Sequence, residues 1–232
     1  MHFKLTHQLP EKCIVACSGG PDSVAALYWL HRSKKVEEII YVHHNTGDFA
    51  DDSQRVVMGH ASSLGIPCTL HRLSDVPRGQ NREQWWRDQR YGLFASHPTD
   101  LPVVIAHHLD DCVEEYVVSA LVKGYTATIP YRHGRCIRPF RTCTKHDMLL
   151  YCIQNMLRYT DDPTNNQTSN RRGMLRQKLI PFIKDNLNEG ISSMVRRMIE
   201  EGLGDNDVAT ERAQNPNRWG ANFTASLELE ES

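Results

Sequence analysis

The chain has 232 residues, 27 Lys and Arg against 28 Asp and Glu, and a formal net charge of -1. That balance excludes a globally basic nucleic-acid binder, so any RNA contact has to be local. The length fits one α/β domain with an appendage. No apolar run reaches the length of a membrane span, and Met1–Pro10 lacks the apolar core of a signal peptide, so the expectation is a cytoplasmic protein with no membrane partner. Seven scattered cysteines without a CxxC pair read as reduced thiols rather than a metal ribbon or iron–sulfur centre.

In chain order, the first apolar run, Cys13–Cys17, is predicted as a strand, with a helix over Asp22–Arg32. Between them stands Ser18-Gly19-Gly20-Pro21-Asp22-Ser23. Glycines let the backbone turn and let a ligand approach the main chain. A helix N-terminus presents unpaired N–H groups and the positive end of its dipole. Together these suit an anion, most often phosphate, and Asp22 beside a phosphate suits an intervening Mg²⁺ ion. An ordinary turn capped by Asp22 or Ser23 is the bland alternative. The Gly-Lys-Ser/Thr ending of a Walker loop is absent.

A strand over Glu38–His43 follows, then a helix over Asp52–Leu64 stopped by Gly65-Ile66-Pro67, and a strand over Pro67–Leu73. Helix Asn81–Ser96 carries Glu83, Arg87, Arg90 and Tyr91 at helical spacing, together with Trp85 and Trp86, of which one is expected in the core and the other exposed. Strand Pro102–His107 contains the wholly apolar "VVIA", as a strand covered on both faces should. Helices are predicted over Asp110–Lys123 and Lys145–Leu157, with a loop or short hairpin across Gly124–Arg138. After the turn-rich "DDPTNN", helical pattern returns near Gly173–Asn186 and Ile191–Glu201, and the chain turns polar beyond Leu203. The alternation implies a doubly wound, mostly parallel, Rossmann-like α/β sheet with a short helical and tail appendage. The division is placed between residues 1–187 and 188–232.

Ligands of open α/β sheets bind beyond the carboxyl ends of the strands. Three polar clusters fall there: Ser18–Ser23, His43-His44, and His107 to Asp111 in "AHHLDD". Four histidines near one edge also admit zinc, but without a recognisable ligand spacing. Neighbouring carboxylates facing a phosphate loop fit Mg²⁺ and a nucleotide better. Arg171, Arg172, Arg176 and Lys178 form a basic cluster, either a solvated face or a contact for phosphate or RNA backbone.

"SGGPDS" after a strand resembles the phosphate loop of N-type ATP pyrophosphatases. "YVHHNTGDFADDSQRVV", "NREQWWRDQRYGLF", "AHHLDDCVEE", "IRPFRTCTKHDMLLYC" and "DDPTNN…RRGMLRQKLIP", in that order, resemble the motifs of the tRNA(Ile)-lysidine synthetase family from about Cys13 to Ile183. The chain departs from that pattern at "KGYTATIPYRHG", where the family is Gly-rich, and at Arg172-Gly173, where it has Arg-Asn. The resemblance implies a fold of the adenine nucleotide alpha-hydrolase type and ATP bound on Ser18, Gly19, Gly20, Pro21, Asp22 and Ser23. His43 and His107 are expected at the nucleotide. Asp22 and Asp111 are expected to hold Mg²⁺, Arg172 and Arg176 to act on the reacting phosphate, and Arg87 and Arg90 to organise a lysine site or loop. The implied reaction adenylates the wobble cytidine of a tRNA and then joins lysine to it, releasing AMP and pyrophosphate. A PP-loop enzyme with another acceptor, such as a tRNA thiolase, is the alternative, and a non-enzymatic tRNA-binding relic a third.

Overall fold

A computed structural model describes residues 2–161, 171–187, 190–203 and 205. The elements are β1 (Cys13–Ala16), α1 (Pro21–Arg32), β2 (Val36–His43), α2 (Asp48–Leu64), β3 (Cys68–Arg72), α3 (Arg82–Ala95), β4 (Val103–Val104), α4 (Leu109–Val122), β5 (Arg132–His133), β6 (Cys136–Ile137) and α5 (Lys145–Gln154). Then come α6 (Arg171–Met174), a π-helical stretch (Leu175–Leu179), α7 (Ile180–Leu187) and α8 (Gly190–Glu200). The six-stranded sheet runs in the order β3-β2-β1-β4-β6-β5. All neighbours are parallel except the edge pair β5 and β6, which is the short hairpin expected within Gly124–Arg138.

Alternation along the strands builds the two faces of the sheet. Val15, Ile39, Tyr41, Val104 and Ile137 join the core formed with α1, α2 and α5, where Val24, Leu27, Leu30, Val57 and Met148 are buried. Ile14, Ile40, Val103 and Cys136 face the other way and pack with Phe94 of α3. Each fully buried aliphatic side chain contributes roughly 1.5–3 kcal/mol. A further cluster joins Leu109, Val113 and Val117 of α4 to Leu175, Ile180, Val195 and Ile199. The helical segment at 190–200 therefore shares a core with α4.

Some boundaries differ from the sequence reading. β4 is two residues long: after the Ile105 amide donates to the Ile137 carbonyl at 2.9 Å, the chain turns into the His107-His108 segment. α2 begins at Asp48 rather than Asp52: Gly47, at φ +81°, reverses the chain and admits an acidic first turn that reads locally as loop. Trp85 and Trp86 are both half-buried, since consecutive helical positions lie about 100° apart and straddle the edge of the packed face. Arg82 covers Trp86 at 5.1 Å, and His44 packs against it at 4.9 Å. No helix among the described residues is long and apolar enough to cross a membrane.

Candidate active site

β1 ends in the middle of the sheet, between β2 and β4, where strand order reverses. The chain then makes the Ser18–Gly20 turn and enters α1 with Pro21 at its first position. Gly19 sits at φ +87°, a conformation that favours glycine. Gly20 is the N-cap, and no side chain caps the helix, so its first-turn amides face no internal acceptor side chain. Ser23 braces the loop from inside. Its Oγ accepts from the Ser18 amide at 3.1 Å, donates to the Gly20 carbonyl at 3.0 Å and lies 3.2 Å from Ser18 Oγ. Ser23 is buried and Ser18 exposed, so the loop hydroxyl open to a ligand is that of Ser18.

Asp22 extends from the first turn of α1 toward the N-terminus of α4. One of its carboxylate oxygens, Oδ1, is buried without a hydrogen-bond partner among the described residues. Its other oxygen is 3.7 Å from His108 Nε2. His108 is the N-cap of α4 and forms a reciprocal cap with Asp111: its Nδ1 accepts from the Asp111 amide at 3.3 Å, and Asp111 accepts from the His108 amide at 3.0 Å. Burial pushes the Asp22 carboxyl above its ordinary range. The His108 imidazole opposes that shift and the Asp111 charge adds to it. Asp110 accepts from the Lys145 amide at 2.8 Å.

These side chains open onto a cavity of about 470 Å³ lined by Asp22, His108, Asp111, Glu114, Lys145 and Arg176, among others. Arg176 projects from the π-helical stretch onto the buried Glu114, with N–H···O distances of 2.5 and 3.0 Å. The hydrogen bond to Glu114 holds its guanidinium above its ordinary pKa. The structure thus brings Asp22, Asp111 and Arg176 of the predicted set to one cavity. Arg172 lies in α6, and its side chain falls outside the described residues. His43 is buried at the end of β2 and engages Asn45 at 3.0 Å and Asp51 at 3.1 Å, with Arg72 beside it. His107 keeps Nδ1 buried without a partner among the described residues, and burial pushes its imidazole down to about 3. His108, Glu114 and Lys145 were not named as site residues. His108 and Glu114 left a local trace, as the second member of the His pair and the first glutamate of "AHHLDDCVEE".

Among the described residues no three His, Cys, Asp or Glu side chains are grouped as a ready metal centre. The donor set at Asp22 and Asp111 instead suits a hard cation whose remaining ligands are phosphate oxygens and water. The buried, unpartnered Asp22 Oδ1 fits that use.

An open parallel sheet that delivers a glycine turn and an uncapped helix N-terminus to its switch point is the frame of a nucleotide-binding α/β domain. Residues 3–183 match the PP-loop domain, and the chain belongs to that family. It is similar to the tRNA(Ile)-lysidine synthase of Bacillus subtilis (strain 168), 34% identical over 191 residues covering 74% of this chain and 40% of that protein. It is also similar to the tRNA(Ile)-lysidine synthase of Clostridium perfringens (strain 13 / Type A), 30% identical over 204 residues, 81% of this chain and 44% of that one. The chain therefore spans less than half the length of these curated relatives. A solved structure, the U34-tRNA thiolase NcsA from Methanococcus maripaludis with its 4Fe-4S cluster, matches with a TM-score of 0.67 at 18% identity, covering 84% of this chain and 73% of that chain. At that identity the likeness is one of fold.

Proposed function

We propose that the chain modifies a tRNA by ligating lysine to its wobble cytidine at the expense of ATP. The cytidine's carbonyl oxygen bonds the α-phosphorus as pyrophosphate leaves. The lysine amine then bonds the adenylated carbon as AMP leaves. The observation that carries the reading is the buried, unpartnered oxygen of Asp22, set between the glycine turn and the His108–Asp111 cap. The names of the similar proteins support the tRNA and lysine assignments.

In this reading the Gly20 amide and the amides in the first turn of α1 bind the phosphates of ATP. Asp22 and Asp111 would hold Mg²⁺, which when bound neutralises phosphate charge. Arg176, and Arg172 from α6, supply positive charge at the reacting phosphate, while Glu114 orients Arg176. Little protein nucleophilicity is needed, because such chemistry depends on in-line positioning and charge neutralisation. The wobble base has to leave its stack to react, as a single-stranded anticodon loop permits. The basic residues of the segment 171–178, Lys178 among them, are the proposed local contact for tRNA backbone on an otherwise near-neutral chain.

The test is mass spectrometry of nucleosides from tRNA incubated with the protein, ATP, Mg²⁺ and lysine. The expected product is a cytidine carrying one lysine, formed only when ATP and lysine are both present. ATP-dependent modification of tRNA without lysine would move the assignment to another acceptor within the family.

A further inference from the structure

We infer that Thr160 and Ser53, which lie outside the glycine turn, are positioning residues that set the direction of the turn's amide donors. Thr160 follows α5, on the short strap at 157–161 that crosses the phosphate loop. Its amide donates to the Gly19 carbonyl at 2.9 Å. Its hydroxyl meets that of Ser53, a residue 107 positions away in sequence and buried in α2, at 3.0 Å. A β-carbon at Gly19 would stand 3.2 Å from both the Ser53 carbonyl and Thr160 Oγ1. The glycine is therefore clasped between α2 and the strap, in addition to its positive φ.

The consequence lies in the planarity of the peptide unit. In a trans peptide the C=O and the following N–H point in opposite directions, and no peptide among the described residues is cis. Thr160 draws the Gly19 carbonyl toward the strap, so the Gly20 N–H is turned away from it, to the side left for an anion. Without the clasp a glycine pair can flip this peptide, since glycine populates both signs of φ.

The strap is itself anchored. His60 Nε2 lies 2.7 Å from the Arg158 carbonyl, and its Nδ1 lies 2.9 Å from the Tyr28 hydroxyl. A carbonyl only accepts, so Nε2 carries the proton and Nδ1 accepts from Tyr28. The first turns of α2 are fixed in turn by the Tyr41 hydroxyl, which donates to the Ala50 carbonyl at 2.7 Å. The clasp thus couples α1, α2 and the strap to a single peptide of the phosphate loop.

The inference rests on the reading that this loop binds ATP phosphate, and the experiment separates the two. ATP affinity and nucleotide-free exchange of the residue 160 amide, which is bonded to the Gly19 carbonyl, are measured for the full chain and for Thr160→Val, Ser53→Ala, the double variant and Thr160→Ser. Each of the first two is expected to weaken ATP binding about fivefold and to speed exchange of the residue 160 amide by a similar factor, as loss of one neutral hydrogen bond does. The double variant is expected to be no weaker than either single one, because both remove the same contact. Thr160→Ser, which keeps the hydroxyl, restores both readings. Unchanged ATP affinity in Thr160→Val and Ser53→Ala overturns the inference. Absence of ATP binding by the wild-type chain overturns the proposed function instead, and the residue 160 exchange rates then decide the clasp alone.

Discussion

His108 Nε2 stands 3.7 Å from the Asp22 carboxylate, joining the N-terminus of α4 to that of α1. The same ring caps α4 through Nδ1, which accepts the Asp111 amide. That bond leaves Nδ1 without a proton in the neutral ring and places the proton on Nε2, facing Asp22. One imidazole therefore starts a helix and orients a carboxylate of the proposed ATP site.

Replacing His108 separates these roles. His108→Ala is expected to destabilise the protein by about 1 kcal/mol through loss of the cap, and to reduce pyrophosphate release. His108→Asn restores an acceptor for the cap but not the contact with Asp22. Denaturant unfolding is expected to recover in His108→Asn while pyrophosphate release stays low; recovery of both would show that the ring acts only as a cap.

Asp22→Asn removes a half-buried carboxylate whose buried oxygen is unsatisfied among the described residues. The thermal midpoint at neutral pH is expected to hold or rise, because burying a charge is costlier than burying an amide. AMP formation is expected to fall about a hundredfold or more, as does that of Asp111→Asn, if each carboxylate acts through a metal worth several kcal/mol. Near-wild-type rates in both at saturating ATP would place the metal elsewhere.

The products of ATP are expected to be AMP and pyrophosphate. The loop lacks a Walker lysine, and the reaction proposed for it occurs at the α-phosphorus. Chromatography of nucleotides after a single turnover with tRNA reads this out directly, and ADP as the main product would falsify the assignment.

Burial, reinforced by Arg90 and His43, pushes the His44 imidazole down from 6.5 to about 4. A base with a depressed folded pKa contributes stability that is fully present above the unfolded value and lost as pH falls. The thermal midpoint is therefore expected to drop between pH 7 and pH 5, and to drop less in His44→Phe, which keeps the ring against Trp86. Equal drops in both proteins would assign the acid sensitivity to other groups.

Burial pushes the thiols of Cys13 and Cys68 up to about 11, and those of Cys112, Cys143 and Cys152 to about 12. The thiolate is the reactive form. The native protein at pH 8 is therefore expected to react slowly with iodoacetamide, half-buried Cys68 first, and all seven cysteines are expected to react only after unfolding. Rapid labelling of a native cysteine with loss of AMP formation would give a thiol a role in the site.

The order of strands and helices was legible because each rests on local periodicity, and the glycine turn because its residue types fit few other uses. The sequence also marked Asp22 and Asp111 through their places at strand–helix junctions. Trp85 and Trp86 could not be assigned to core or surface locally, since each packs according to what lies beyond its helix. The start of α2 hid in a polar stretch that only the positive φ of Gly47 converts into a helix N-terminus.

What the sequence determined by itself was the alternating α/β order and the chemistry at its strand ends, since both are written in neighbouring residues. What the tertiary structure decided was which groups meet. His108 reaches Asp22 because α1 and α4 begin at adjacent strands, β1 and β4, which pair in parallel. Glu114 meets Arg176 across 62 positions, and Ser53 meets Thr160 across 107. Periodicity carries no record of such pairings: they arise only when helices far apart in the chain pack against one sheet, and burial then makes each hydrogen bond costly to leave unmade.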